Sequence, residues 1–233
     1  MNEYKILITG GTGFIGASLV RELLKLNHKI LIIARNYDKI FDNKNITWIS
    51  ADIAHEKKYI EKVKSFSPHI VFHLYWEGIP NLNSQNSRKS LFNSINFLNN
   101  IIDLNSIEKI IVSGSCLEYC KNKGICKIED YDSHETYFSW AKNSLKNWLF
   151  LRGVESNVKI YWFRIFYVFG QGQRKEALIP SIINSLNKNE KIKIKKLENF
   201  NDFIYIDDVI NLFKKSISSK SASGIYNVGS GKA

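Results

Sequence analysis

The chain has 233 residues, 44% hydrophobic and 13% aromatic, and its 33 Lys and Arg against 22 Asp and Glu leave a formal charge of +11. That composition excludes a disordered tail, and no run approaches the ~20 apolar residues of a membrane span. The opening Met1-Asn2-Glu3-Tyr4-Lys5 lacks a secretory pattern, and the sparse Cys116, Cys120 and Cys126 predict free thiols of a cytoplasmic protein, with no metal site.

Strand-like runs are expected at Lys5–Thr9, Lys29–Ala34, Ile46–Ser50, Ile70–Leu74, Lys109–Ser113 and Lys159–Phe163. Several are continuous Ile, Leu and Val runs, as in strands buried on both faces of a parallel sheet. Helices lie between them. Ile15, Leu19, Val20, Leu23 and Leu24 repeat at helical spacing, and Ser90–Asn105 and Thr136–Leu151 give two more. This alternation predicts an α/β, Rossmann-type doubly wound parallel sheet. After Gly170 the texture changes to a helix at Leu178–Leu186, strands at Lys191–Lys195 and Phe203–Ile206, a helix at Val209–Ser218 and a strand at Ile225–Val228. Asp207 or Asp208 is a candidate cap there. Two units are expected, a dinucleotide-binding domain over 1–170 and a small, incomplete substrate lobe over 171–233.

The positive charge does not predict a nucleic-acid partner. Its lysines are spread along the chain without a one-sided stripe. The densest cluster, Lys188 to Lys196, alternates Lys and Ile like an edge strand with one wet face.

The strongest local signal is Thr9-Gly10-Gly11-Thr12-Gly13-Phe14-Ile15-Gly16, between the first strand and the first helix. Gly10 serves the tight turn, Gly13 the approach of a pyrophosphate and Gly16 close helix–strand packing, while the helix N-terminus offers free N–H groups to phosphate. These residues resemble the glycine loop of the extended short-chain dehydrogenase/reductases, in particular their NAD(P)-dependent nucleotide-sugar epimerase, dehydratase and 4-ketoreductase branch. Further similarity lies in Ala51-Asp52-Ile53, in His73-Leu74 followed by Tyr75-Trp76, and in Arg164-Ile165-Phe166-Tyr167-Val168-Phe169-Gly170. Asp202 to Val209 and Tyr226-Asn227-Val228-Gly229-Ser230-Gly231 resemble the substrate-lobe motifs. Relatives continue for several tens of residues past the last of these, so the resemblance implies a chain cut short at its C-terminus.

The resemblance implies cofactor contacts from Gly10, Gly13, Phe14, Ile15, Gly16, Asp52, Ile53, Leu74 and Lys142. At the end of the second strand, Arg35 could pair with a 2′-phosphate, so NADP is favoured over NAD; the other reading has Arg35 solvated and stacked on adenine. Ser115 matches the hydroxyl that bonds the reacting sugar oxygen, though a strand-end hydroxyl can equally bond backbone. Cys116 and Leu117 stand where dehydratases carry an Asp-Glu pair, which argues against dehydration.

The family's Tyr-x-x-x-Lys places a proton-transferring phenol one helical turn before a lysine. Here Thr136-Tyr137-Phe138-Ser139-Trp140-Ala141-Lys142 matches at Lys142 but puts Phe138 in the tyrosine slot. Tyr137 would point ~100° away, unless a helix irregularity turns it inward as the proton donor. Asn201 stands where relatives carry a phosphate-gripping Arg. The resemblance thus implies a nucleotide-sugar substrate and hydride transfer at a sugar carbon, by an epimerase or 4-ketoreductase of surface-polysaccharide precursor synthesis. A catalytically silent NAD(P)-binding protein is the alternative. It also implies a possible homodimer through the helices Ser90–Asn105 and Thr136–Leu151. Glu118 could polarise the sugar site or be a solvated or capping residue. Arg164 could bond the substrate lobe or an inner carboxylate. His73 is expected as a packed strand-end residue, and His28, His55, His69 and His134 as surface or loop residues.

Overall fold

A computed structural model describes residues 3–36, 38, 42–119, 124–130, 132–192 and 200–232. The main sheet contains β1 (Lys5–Thr9), β2 (Lys29–Ala34), β3 (Ile46–Ser50), β4 (Ile70–His73), β5 (Lys109–Ser115), β6 (Lys159–Ile165) and β9 (Gly224–Val228). All pairs are parallel, in the order β3-β2-β1-β4-β5-β6-β9. The order reverses between β1 and β4, and a crevice opens at the carboxyl ends of strands at such a switch point.

Alternate side chains feed two apolar layers, as the period of two requires. Leu7, Leu31, Val71, Ile110 and Trp162 face one side, packed with α2 (Ile60–Phe66), α3 (Ser84–Ile102) and α4 (Tyr137–Glu155). Ile6, Ile32, Phe72, Ile111 and Phe163 face the other, packed with α1 (Phe14–Leu24) and α6 (Ile206–Ser218). Each layer covers strands that are apolar on both faces, which is why these runs do not alternate with polar residues.

Local chemistry sets the helix ends. Asn83 caps α3, its side chain accepting from Asn86 N, so this helix starts six residues before the expected Ser90. Thr136 and Ser139 form a reciprocal capping box at the start of α4. The helix α6 starts at Ile206 with no side-chain cap. Asp207 and Asp208 therefore do not cap it; they lie in its first turn, where their charge favours the helix dipole.

The remaining elements are α5 (Leu178–Asn187) and a two-stranded parallel ribbon of β7 (Tyr167–Phe169) and β8 (Phe203–Tyr205). The strand expected at Lys191–Lys195 falls largely outside the described residues. Residue 170 is not where the main sheet ends. The strand β9 pairs with β6 along Tyr161–Ile165, and α6 packs beside α1, so residues of the expected 171–233 lobe also supply part of the main sheet and of its helical layer.

Candidate active site

A cavity of about 630 Å³ opens at the carboxyl ends of β1, β4 and β5. The glycine loop forms one wall. Gly10 has φ +73°, and a Cβ there would lie 2.7 Å from the Leu74 carbonyl. Gly13 precedes α1 as its N-cap without a side-chain cap, so the first-turn N–H groups face outward. A Cβ on Gly16 would lie 2.1 Å from Gly10 O, which only glycine tolerates. Phe14 and Ile15 complete this wall. The cradle is bare backbone at a helix N-terminus, and the donor set fits a dinucleotide pyrophosphate.

Charged groups mark the far end of the cavity. Arg35 Nη1 donates to Glu77 Oε1 at 2.9 Å and stands 3.8 Å from Asp52 Oδ2. Glu77 Oε2 also pairs with Lys89 Nζ at 2.8 Å. Asp52 Oδ1 accepts from Ala54 N, which holds the turn after β3. Asp52, Ile53 and Leu74 all line the cavity.

The opposite end is aromatic. Lys142 Nζ donates to Ser113 O at 2.7 Å and lies 4.0 Å from the centroid of the Trp76 ring. Burial pushes the Lys142 pKa down to about 8, and the Glu118 carboxylate opposes that shift. Phe138, only 6% exposed, lines the cavity one turn before Lys142. Tyr137 is 59% exposed and is not part of the wall. The regular capping box leaves α4 no irregularity to rotate Tyr137 inward, so the structure does not place it as proton donor. Ser115 lines the cavity with its Oγ accepting from Leu117 N at 3.2 Å.

A model of the NAD dependent epimerase/dehydratase family matches residues 6–229. The chain belongs to that family. Among members of the epimerase/dehydratase family, it is 27% identical over 244 residues to the dTDP-4-dehydro-6-deoxyglucose reductase of Escherichia coli, covering 98% of this chain and 77% of that one. It is 24% identical over 232 residues to the dTDP-6-deoxy-L-talose 4-dehydrogenase (NAD(+)) of Aggregatibacter actinomycetemcomitans, covering 97% and 84%. The fold superimposes with a TM-score of 0.86 and 24% identity on UDP-N-acetylglucosamine 4-epimerase from Methanobrevibacter ruminantium, over 98% of this chain and 77% of that one.

Other residues of this epimerase/dehydratase chain resolve into packing roles. His73 is buried, with Thr9 Oγ1 and Ser94 Oγ each 2.9 Å from a ring nitrogen. Burial, with Lys142 nearby, pushes its pKa down to about 3, so the ring is neutral. His28 lies in the loop before β2, where it is buried and its Nδ1 accepts from Tyr4 N at 3.3 Å. Arg164 takes the inner carboxylates, donating from Nε to Glu118 at 3.2 Å and from Nη2 to Asp132. Cys116 is buried, and Cys120 lies outside the described residues. The wall residues Tyr75, Trp76 and Glu77 were not anticipated as site groups. Their position directly after the His73-Leu74 strand end was the available signal.

Proposed function

We propose that this chain binds a nicotinamide dinucleotide, NADP in preference to NAD, and acts on a nucleotide-sugar as a 4-ketoreductase or epimerase. The observation that carries the reading is one cavity holding the bare glycine cradle at one side and Ser115 with Lys142 at the other. A bound nicotinamide would exchange a hydride with a sugar carbon. Gly10, Gly13, Phe14, Ile15 and Gly16 would hold the pyrophosphate through backbone, and Asp52, Ile53 and Leu74 the adenosine half. The ammonium of Lys142 supplies a positive charge and hydrogen-bond donors. The Ser115 hydroxyl can bond a sugar oxygen. Arg35 supports NADP because it is a mobile-length cation at the end of β2, able to exchange its Glu77 partner for a phosphate.

The names of the similar proteins support a nucleotide-sugar substrate, and precursor synthesis for a surface polysaccharide is the setting we infer. We also place the protein in the cytoplasm. A homodimer is supported by the exposed Phe92 of α3 and Leu151 and Val154 of α4, and light scattering in solution tests it.

A second reading has its own observation. Phe138 brings no exchangeable proton to the cavity wall, which favours a silent dinucleotide-binding protein. Fluorescence titration with NADPH and NADH, followed by turnover with a dTDP-4-dehydro-6-deoxy sugar, separates the two. Binding with turnover supports the enzyme, and binding without turnover across a panel of nucleotide-sugars supports the silent protein. Failure to bind either dinucleotide removes both.

A further inference from the structure

Glu118 is fully buried on the turn that follows β5. A buried carboxylate is costly unless it is paired and hydrogen-bonded. Its Oε1 accepts from Ser115 N at 2.7 Å, and its Oε2 accepts from Trp162 Nε1 at 2.8 Å and Arg164 Nε at 3.2 Å. The space it occupies is reserved: a Cβ on Gly114 would stand 2.7 Å from Glu118 Oε1 and 2.3 Å from Trp162 Nε1.

Lys142 reaches the same stretch of β5 from the helix side. Its ammonium holds Ser113 O, while Glu118 holds Ser115 N two residues on. The indole that donates to Glu118 also lies 5.9 Å from Lys142 Nζ. Two buried cations beside Lys142, namely Lys146 and Arg164, take the carboxylates of Glu118 and Asp132 in ion pairs. Lys146 binds Asp132 at 2.6 Å, and Arg164 binds both carboxylates. Lys142 forms an ion pair with neither, but the Glu118 charge acts on it at longer range, against the effect of burial. Among the described residues, His73 on β4 also faces it, and its ring is neutral. The rings of Trp76, Phe138 and Trp162 lie 4.0, 6.0 and 5.9 Å from its Nζ.

We propose that Glu118 is the counter-ion that keeps the Lys142 ammonium charged in the cavity, a positioning residue for dinucleotide binding that acts through Lys142. This rests on the dinucleotide-binding reading above. Neither the glycine cradle nor any step of hydride exchange needs Glu118 to touch a ligand. Its effect is electrostatic, and a pH profile reads it where a purely structural role would leave no trace.

The test measures the dissociation constant of NADPH from pH 6 to pH 10 in wild type, Glu118→Gln, Glu118→Asp and Lys142→Met, with circular dichroism to verify folding. Wild type should lose affinity on an alkaline limb near pH 8, the value to which burial depresses Lys142. Lys142→Met should lack that limb. In Glu118→Gln the limb should move down by about one pH unit or more, and in Glu118→Asp by less. Should the glutamine variant not fold, the aspartate variant, which keeps the charge, decides by its smaller shift. A limb that stays in place in the folded variants overturns the proposal, as does a wild-type profile flat to pH 10. Absence of NADPH and NADH binding at every pH would instead overturn the binding reading on which it rests.

Discussion

The ring of Phe138 meets the indole of Trp76 edge-on, with centroids 5.4 Å apart, and together they wall the aromatic end of the cavity. The contact seats Phe138 firmly on the face of α4 that it shares with Lys142, and it leaves Tyr137 outside.

The register has a direct consequence for activity. Phe138→Tyr would add a phenolic hydroxyl at the cavity wall beside Lys142. It should raise turnover of a nucleotide-sugar by ~10²–10⁴-fold, the usual worth of a positioned general acid or base. Tyr137→Phe should leave turnover unchanged. Steady-state kinetics of both variants check this, and loss of activity in Tyr137→Phe would show the register to be wrong.

Cofactor choice turns on the pair formed by Arg35 and Glu77. Arg35→Ala should weaken NADPH binding about tenfold, the worth of one exposed charge-assisted contact, and leave NADH nearly unaffected. Glu77→Gln releases Arg35 from its partner and should strengthen NADPH binding. Titrating both nucleotides into each variant tests this. NADH binding tighter than NADPH in wild type would defeat the preference.

Stability far from the cavity depends on Lys109. Its Nζ donates to the carbonyls of Ser216, Ile217 and Ser219 at 2.6, 2.9 and 3.0 Å, closing the C-terminus of α6. Lys109→Met would strip all three carbonyls of a charged donor and should cost about 2–4 kcal/mol in denaturant unfolding. Dinucleotide affinity should persist in the folded protein, since the residue begins β5 and the cavity lies at the other end of that strand. A variant as stable as wild type would refute the role.

His73 should make the fold acid-sensitive. Its pKa lies near 3 in the folded chain against an ordinary 6.5. Between those values the unfolded chain binds more protons, so stability falls as pH drops from 6.5 towards 3, by up to about 1.4 kcal/mol per unit. His73→Gln retains an amide for Thr9 and Ser94 and should flatten that slope. Urea denaturation at a series of pH values measures it, and an identical slope in the variant would assign the effect to other groups.

The apolar strands of the main sheet and the glycine loop were legible in the residues because each is a local pattern: a continuous Ile, Leu and Val run, or glycines between a strand and a helix. The placing of Phe138 was legible too, since its spacing from Lys142 is one helical turn. The short helix α2 escaped because it has only two buried residues, Ile60 and Val63, too few to display a period. The ribbon of β7 and β8 joins segments distant in sequence, and nothing in either names its partner. Glu118 is legible in the residues only as a sugar-site, solvated or capping carboxylate, and its complete burial is not. What buries it are Trp162 and Arg164, which belong to a strand more than forty residues later.

The position of β9 bears on how the molecule is made. Until Gly224–Val228 have left the ribosome, the outer edge of β6 has no neighbour in the main sheet. An unpaired edge is a template for pairing with other chains. The nascent polypeptide therefore carries an adhesive flank from the emergence of β6 until that of β9, and a chaperone that shields extended segments during this interval should increase the yield of native protein more than one that acts only after β9 has docked.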